Sequence, residues 1–353
     1  MAQPTDIIEA VILVFFCTTS ILGNLTLFFV VTRRKNLRTI SNGFLLNLAF
    51  ADLLVSVINM PITVATIIEQ RWVFGRTACV FLGFTTMLSF VSSVMSLAMI
   101  AINRYFYVVQ WKTYKSIFTP RRSFIFGSIV WLISSLISLP PLFGWAEYRY
   151  IPGKSFCFVS WASDVYYMYF MLTICFFGPL TAMSFSYFHI LKFTKEAGKR
   201  VQDHGDVARK RWESELGDKR NKKRFRMTPT EVKLTNTLLI VVACFMFCWS
   251  PFAITMFFDV YYPHPLPRII DISTLLLGYA NSMCNPVVYG IRTQSFRKEI
   301  RNLFTELFSS CFTIRVVSFA DSAVQVTSEL PPFDKSHSAE FREKQYAENE
   351  TKS

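Results

Sequence analysis

VFLGFTTMLSFVSSVMSLAMIAINRY, residues 80–105, decides how this chain is built. Val80–Ile102 holds 23 residues without one ionisable side chain, and the run then meets Arg104. A bilayer core about 30 Å thick needs roughly 20 predominantly apolar residues in a helix. Such a helix satisfies its own backbone hydrogen bonds, as hydrocarbon demands. Working outward, six more runs have this character: Ile7–Thr32, Asn42–Ile68, Ser123–Trp145, Tyr166–Leu191, Lys233–Phe258 and Arg268–Ile291. Seven spans put the two termini on opposite sides of a membrane. The first span starts with Asp6 and Glu9 instead of a basic leader and is too long for a signal-peptide core, so it reads as a retained helix.

The rest of the composition agrees. The 353 residues are 52% hydrophobic and 17% charged, yet the net charge is +13. A soluble domain is about 45–50% apolar and roughly a quarter charged. With 13 Gly, 16% aromatics and 8 Cys, collagen-like, disordered and disulfide-framework classes are excluded. The basic residues are segregated from the apolar ones. Arg33–Arg38, Arg104–Arg122, Lys192–Lys233 and the tail from Arg292 hold 32 of the 37 Lys and Arg. Arg71, Arg76, Arg149, Lys154 and Arg268 make up the other set. Counting the two short inner segments alone still gives 9 against 5. The positive-inside rule therefore predicts an extracellular N-terminus and a cytoplasmic tail. Charge tethered to one membrane face offers no nucleic-acid partner.

Polar groups within spans are costly and default to functional candidates. Asn24, Asp52, Asn281 and Asn285 are the main ones. The asparagines also read as interhelical hydrogen-bond glue. Asp52 needs a partner, water or a cation, and a Na⁺ ion shared with Ser93, Asn281 and Asn285 would meet that need. Pro61, Pro179, Pro251 and Pro286 lie inside spans, where each removes a backbone bond and kinks the helix. Pro251 beside Trp249 and Pro286 beside Asn285 read as hinges, with inert kinks as the plain alternative.

The motifs, taken in order, are similar to the rhodopsin-like (class A) family of G-protein-coupled receptors. Gly23-Asn24 lies in span 1, and Asn47-Leu48-Ala49-Phe50-Ala51-Asp52 in span 2. Span 3 runs from Cys79 to Asn103-Arg104-Tyr105. Span 4 has Trp131 and Pro140-Pro141, the second outer loop Cys157, and span 5 Pro179 and Tyr187. Span 6 reads Phe245-Met246-Phe247-Cys248-Trp249-Ser250-Pro251-Phe252; span 7 reads Asn285-Pro286-Val287-Val288-Tyr289, with Phe296 beyond. Asn103-Arg104-Tyr105 and Tyr114 resemble melatonin receptors; Leu139–Trp145 and Tyr150-Ile151-Pro152 resemble opsins. Two departures matter. Tyr279 stands where opsins have their retinal-binding Lys, and Thr86 stands where amine receptors have an Asp. Neither a retinal Schiff base nor a charge-paired monoamine is expected, and no other cofactor.

The resemblance implies an all-α membrane protein, a seven-transmembrane helix bundle with a short amphipathic eighth helix. Residues 1–6 would be extracellular and 7–291 the bundle, with a third inner loop at 192–233. Residues 292–312 would hold the eighth helix, and 313–353 a disordered cytoplasmic tail. Cys79 and Cys157 are the two cysteines that topology places outside, where a disulfide is permitted; two unpaired thiols are the alternative. Cys311 is a candidate for palmitoylation or a free thiol. Arg104 would pair with Glu231 at the base of span 6, and its own neighbour Asn103 is neutral. Activation would swing span 6 outward, so that Arg104, Tyr105, Tyr187 and Tyr289 receive the heterotrimeric G protein. Phe245 and Trp249, four apart, form either a packing relay or ordinary core.

The ligand pocket implied by the resemblance comprises Thr86, Phe90, Met171, Cys175, Trp249, Phe252, Met256, Leu276 and Tyr279, lidded by Phe158. It is mostly apolar and lacks a formal charge, which suits a small uncharged or lipid-like ligand. It also suits no ligand at all, in a constitutively active orphan. Basic runs in the third inner loop suit acidic lipid headgroups or the G protein. Ser318, Ser322, Thr327, Ser328, Ser336, Ser338, Thr351 and Ser353 offer receptor kinases substrates that would recruit arrestin. The sequons at Asn24 and Asn349 fall within the membrane and the cytoplasm, where neither is glycosylated. His189, His204, His264 and His337 are scattered and HExxH and CxxC are absent, so no enzyme is expected. Internal repeats of a transporter and polar rings of a channel are also missing. A plasma-membrane receptor is the reading; a scaffold or scramblase without signalling is its rival.

Overall fold

The computed structural model describes residues 3–212, 229–262, 264–294, 296–302 and 305; the side chains of 197–212, 229–232 and 234 are outside that description. The expectations for the Glu231 side chain, Cys311 and the tail lie outside the described residues. Seven long helices are present: helix 1 Pro4–Arg33, helix 2 Ile40–Glu69, helix 3 Gly75–Val108, helix 4 Pro120–Ser138, helix 5 Val165–Trp212, helix 6 Pro229–Tyr261 and helix 7 Arg268–Arg292. Among the described residues, six of them are long and apolar enough to cross a membrane. Helix 7, with 25 residues, reaches about 37 Å at about 1.5 Å per residue, and it turns Asp271, Asn281, Ser282 and Asn285 to the buried side. Large apolar side chains such as Phe124, Leu132, Phe188 and Phe247 cover the outside, the surface that meets lipid in a multi-pass membrane protein.

Local chemistry sets the helix ends. Thr39 and Thr119 accept from the Asn42 and Arg122 backbone N–H groups, and Asp164 accepts from that of Tyr167 at 2.9 Å. The spans predicted to contain Pro61 and Pro179 do so by widening beforehand. Val55–Asn59 and Leu172–Phe177 are π-helical turns. Each contains the residue four before its proline, so the wider turn relieves the ring's clash with that carbonyl. Pro251 and Pro286 stay inside helices 6 and 7. Helix 4 stops sooner than predicted. Pro140 and Pro141 start a 3₁₀ turn ending at Gly144, whose φ of 92° is left-handed, and Trp145 therefore lies off the helix.

Helix 3 runs through the centre, packed by helices 2, 4 and 5. Asn47 of helix 2 joins three helices: its amide donates to Ser96 Oγ at 2.9 Å and accepts from Trp131 Nε1 at 2.8 Å. Asn24 of helix 1 donates to the Ser282 carbonyl of helix 7 at 3.1 Å. After helix 7, Thr293 breaks the run and residues 296–302 are helical again. Phe296 is buried there 6.4 Å from Tyr289, and Glu299 pairs with Arg34 at 3.0 Å.

The bundle gains one element absent from the sequence expectation. Strands β1 (Tyr148–Ile151) and β2 (Phe156–Val159) form an antiparallel hairpin, pairing Tyr148 with Val159 and Ile151 with Phe156. All four β2 residues are buried, so the hairpin sits in the mouth of the bundle. The Cys79–Cys157 disulfide ties it to helix 3 with Cα atoms 5.3 Å apart.

Close helix packing depends on Gly23, where a Cβ would come 2.7 Å from Pro286 Cγ. Gly23→Val is expected to destabilise the bundle by about 1–3 kcal/mol through overpacking. The thermal midpoint of detergent-purified protein measures this; an unchanged midpoint would show that the contact can relax.

Candidate functional site

At mid-depth, helices 2 and 7 place carboxylate and amide together. Asn285 Nδ2 donates to Asp52 Oδ2 at 2.7 Å, while Asp52 Oδ1 and Asn281 Oδ1 are buried without a hydrogen-bond partner among the described residues. Beside them a cavity of about 20 Å³ is lined by Ser89, Ser93, Asn281 and Ser282. A space of one water's size lined by serine oxygens and the orphaned Asn281 Oδ1 fits a hard cation, which takes oxygen ligands. Asp52, Ser93 and Asn281 suit the Na⁺ role; Asn285 is turned to serve the carboxylate as a donor.

The aromatic column stands just above. Phe90 of helix 3 lies 4.5 Å from Trp249 and 6.4 Å from Phe245, ring to ring, and Trp249 lies 5.7 Å from Phe252. Trp249 presses on Gly278, where a Cβ would stand 3.1 Å from the indole. The indole therefore packs directly on the backbone of helix 7.

At the inner end, Arg104 is buried and its guanidinium lies 5.7 Å from the Tyr107 ring. Asn103 turns elsewhere: it accepts from Ser41 Oγ at 2.8 Å and donates to Tyr114 Oη at 3.4 Å. This neutral amide beside Arg104 joins helix 2 to the short inner-loop helix Trp111–Ile117. Tyr187 and Tyr289 lie within electrostatic reach of Arg104, and their buried hydroxyls have no hydrogen-bond partner among the described residues. Tyr105 instead faces Phe185 and His189 of helix 5, at 5.7 and 5.9 Å between rings.

The expected ligand residues are not one open pocket. Phe90, Phe158, Met171, Cys175, Trp249, Phe252 and Met256 line a cavity of about 30 Å³. Thr86 and Tyr279 turn toward helix 2, bonding Asn59 Oδ1 at 3.0 Å and Thr63 Oγ1 at 3.0 Å, around a space of about 10 Å³. Leu276 packs into the core and lines neither space. Sites for drug-sized ligands are about 300–1,000 Å³. The missing volume holds the hairpin: Phe158 packs edge-on against Phe252 at 5.8 Å and Trp161 at 5.7 Å, and Phe156 stacks on Phe158 at 5.3 Å. Phe158 thus fills the mouth instead of lidding a void.

The mouth is also charged, contrary to the set read from sequence. Lys154 lies buried between Asp259 of helix 6 and Asp271 of helix 7. Arg268 reaches Glu9 at 2.8 Å and Asp6 at 3.4 Å. Sequence reading missed these residues because the acids and Arg268 sit at span ends and Lys154 in a loop, where charge is ordinary. The usable signal was an acid at the matching outer ends of spans 6 and 7 facing a lysine in a short loop. Burial pushes up the phenols of Tyr148 and Tyr150 in the hairpin, so both stay protonated; Tyr148 donates to the Ser138 carbonyl at 2.7 Å.

The chain is similar to known proteins. Residues 23–289 match the profile of the 7 transmembrane receptor (rhodopsin family). Melatonin receptor type 1C of Xenopus laevis is 26% identical over 304 residues, covering 85% of this chain and 68% of that one. Melanopsin of Mus musculus is 30% identical over 289 residues, and the matched part is 80% of this chain but about half, 53%, of melanopsin. The 5-hydroxytryptamine receptor 4 of Homo sapiens is 31% identical over 310 residues, 82% of this chain and 79% of that one. The crystal structure of squid rhodopsin shares the fold, with TM-score 0.71 and 24% identity over 88% of this chain and 89% of that one. The chain belongs to the rhodopsin family of seven-transmembrane receptors, the class A G-protein-coupled receptors. Its relatives are receptors, not enzymes.

The mid-depth network generates a direct expectation. Replacing N-methylglucamine with Na⁺ should raise the thermal midpoint of the purified protein, and Asp52→Asn should remove that rise. An equal rise in both proteins would rule out Asp52 as the ligand.

Proposed function

We propose that this receptor sits in the plasma membrane with its N-terminus extracellular and passes activation to a heterotrimeric G protein by outward movement of helix 6. The observation that carries this reading is the inner cluster. Arg104 is buried, and the Tyr187 and Tyr289 hydroxyls near it lack protein partners among the described residues. Buried hydroxyls left unmatched cost free energy. A partner helix entering an opened cleft would supply the missing acceptors and donors. Asn103, committed to Ser41 and Tyr114, is a neutral neighbour of Arg104, and in this reading Glu231 would supply the main restraint.

In this reading Pro251 and Pro286 act as hinges, and Phe90, Trp249 and Phe245 relay packing between the mouth and the cleft. A ligand acts through differential affinity for the two packings. The residues around Phe90, Met171, Cys175 and Met256 would recognise a small uncharged or lipid-like molecule. A second reading, ligand-independent signalling, is favoured by a specific observation: spaces of about 30 and 10 Å³ in the mouth. Na⁺ at Asp52 would bias the inactive packing. Lipid headgroups would meet the basic inner face, and receptor kinases and arrestin would act on the serines and threonines of the tail.

The tests use nucleotide exchange on G proteins in membranes from expressing cells. Arg104→Ala should reduce exchange to that of untransfected membranes, whereas a scaffold or scramblase would show no exchange to lose. Glu231→Gln should raise basal exchange several-fold; an unchanged level that stays above untransfected membranes would remove Glu231 from the restraint.

A further inference from the structure

The tip of the outer hairpin carries a cation into the bundle. Lys154 ends the turn Pro152–Lys154 between the strands and is 1% exposed. Its Nζ lies 2.9 Å from Asp259 Oδ2 and 2.9 Å from Asp271 Oδ1, so one ammonium bridges helices 6 and 7. The Phe252 ring centre is 5.7 Å from the same nitrogen. Gly153 packs directly on Asp271, leaving no room for a side chain. Arg268 holds the turn from the other side, donating to Ser155 Oγ at 2.8 Å and the Pro152 carbonyl at 3.4 Å. Burying an amine costs desolvation and side-chain entropy. An apolar residue would pack a passive plug at lower cost.

We propose that the second outer loop is the receptor's own resident agonist, with Lys154 as its cationic group and Phe156 and Phe158 as its apolar body. The proposal rests on the G-protein-coupling reading and deepens its ligand-independent form. The loop does what an agonist does: it occupies the mouth, touches Phe252 above Trp249, and ties two helices by a charge. The sign follows from leverage. Asp259 lies eight residues outward of Pro251, about 12 Å along the helix, and Lys233 lies eighteen residues inward, about 27 Å. Drawing the outer end of helix 6 toward helix 7 about a proline pivot swings its inner end away from helix 7, whose Tyr289 lies near Arg104, and so widens the inner cleft. The short outer arm makes the displacement larger at the inner end. A diffusible ligand competing for this mouth must displace the hairpin and would lower activity.

The test compares wild type, Lys154→Met, Lys154→Arg and Asp259→Asn in cells with G-protein dissociation sensors, normalised to surface receptor counted by cytometry, with Arg104→Ala as the floor. Lys154→Met should lower basal signalling at least fivefold, and Lys154→Arg should keep more than half of it. Signalling by Lys154→Met at or above the wild-type level overturns the proposal. If that variant is retained inside the cell, Asp259→Asn decides, since Lys154 keeps Asp271: a comparable fall supports the proposal and an unchanged level overturns it. Wild type already at the floor also overturns it. In that case Glu231→Gln separates the two readings, because a rise above the floor keeps G-protein coupling intact and no rise removes coupling as well.

Discussion

Charge cannot lie in hydrocarbon without a partner, and this restriction shapes the molecule from end to end. Along the seven spans the chain tolerates one deep acid, Asp52, and supplies Asn285 to hold it. Elsewhere ionisable groups gather where the helices end. At the inner end they include Arg104 and the basic loops; at the outer end they are drawn into pairs that include Lys154 with Asp259 and Asp271. The apolar lengths of the helices fix how far apart these two charged layers stand. Anything that links them must travel through neutral groups, chiefly the aromatic column from Phe252 through Trp249 to Phe245.

That link is made of shape. Phe90 against Trp249, Trp249 against Gly278, and Asn24 bonded to the Ser282 carbonyl each couple neighbouring helices by contact. Packed interiors move between discrete arrangements and do not deform continuously. A chain of such contacts therefore suits a two-position device. The π-helical turns before Pro61 and Pro179 serve a different purpose from the prolines of helices 6 and 7. The former absorb the proline by widening, whereas Pro251 and Pro286 remain within α-helical turns.

The bundle was legible because hydrophobic length is a property of the sequence itself. Uninterrupted runs such as Val80–Ile102 need no tertiary information, and neither does the order of Asn24, Asp52, Arg104, Trp249 and Pro286. Grouping Asp52, Ser93, Asn281 and Asn285 was likewise within reach, although not the donor role that Asn285 takes. What sequence could not display was the hairpin. Tyr148–Ile151 and Phe156–Val159 are short, and isolated two-stranded hairpins are marginal in water; here burial in the mouth and a disulfide hold the pair together. The expected pocket is consequently a space between helices with Phe158 as its lid, whereas Phe158 and its strand neighbour Phe156 fill that space. Lys154 was counted among charges at the outer face because its two acids are more than a hundred residues away in the chain.

The contact between Gly23 and Pro286 ties the first helix to the last. Because helix 1 presents no side chain there, the pyrrolidine ring of helix 7 nests directly on its backbone. Further along, Arg34 just past helix 1 grips Glu299 beyond helix 7. Helix 1 is thus held at two points by the segment that carries Pro286. Any straightening of helix 7 at that proline would slide its ring along the backbone of helix 1 like a bolt in its keeper, making helix 1 the rail that guides helix 7.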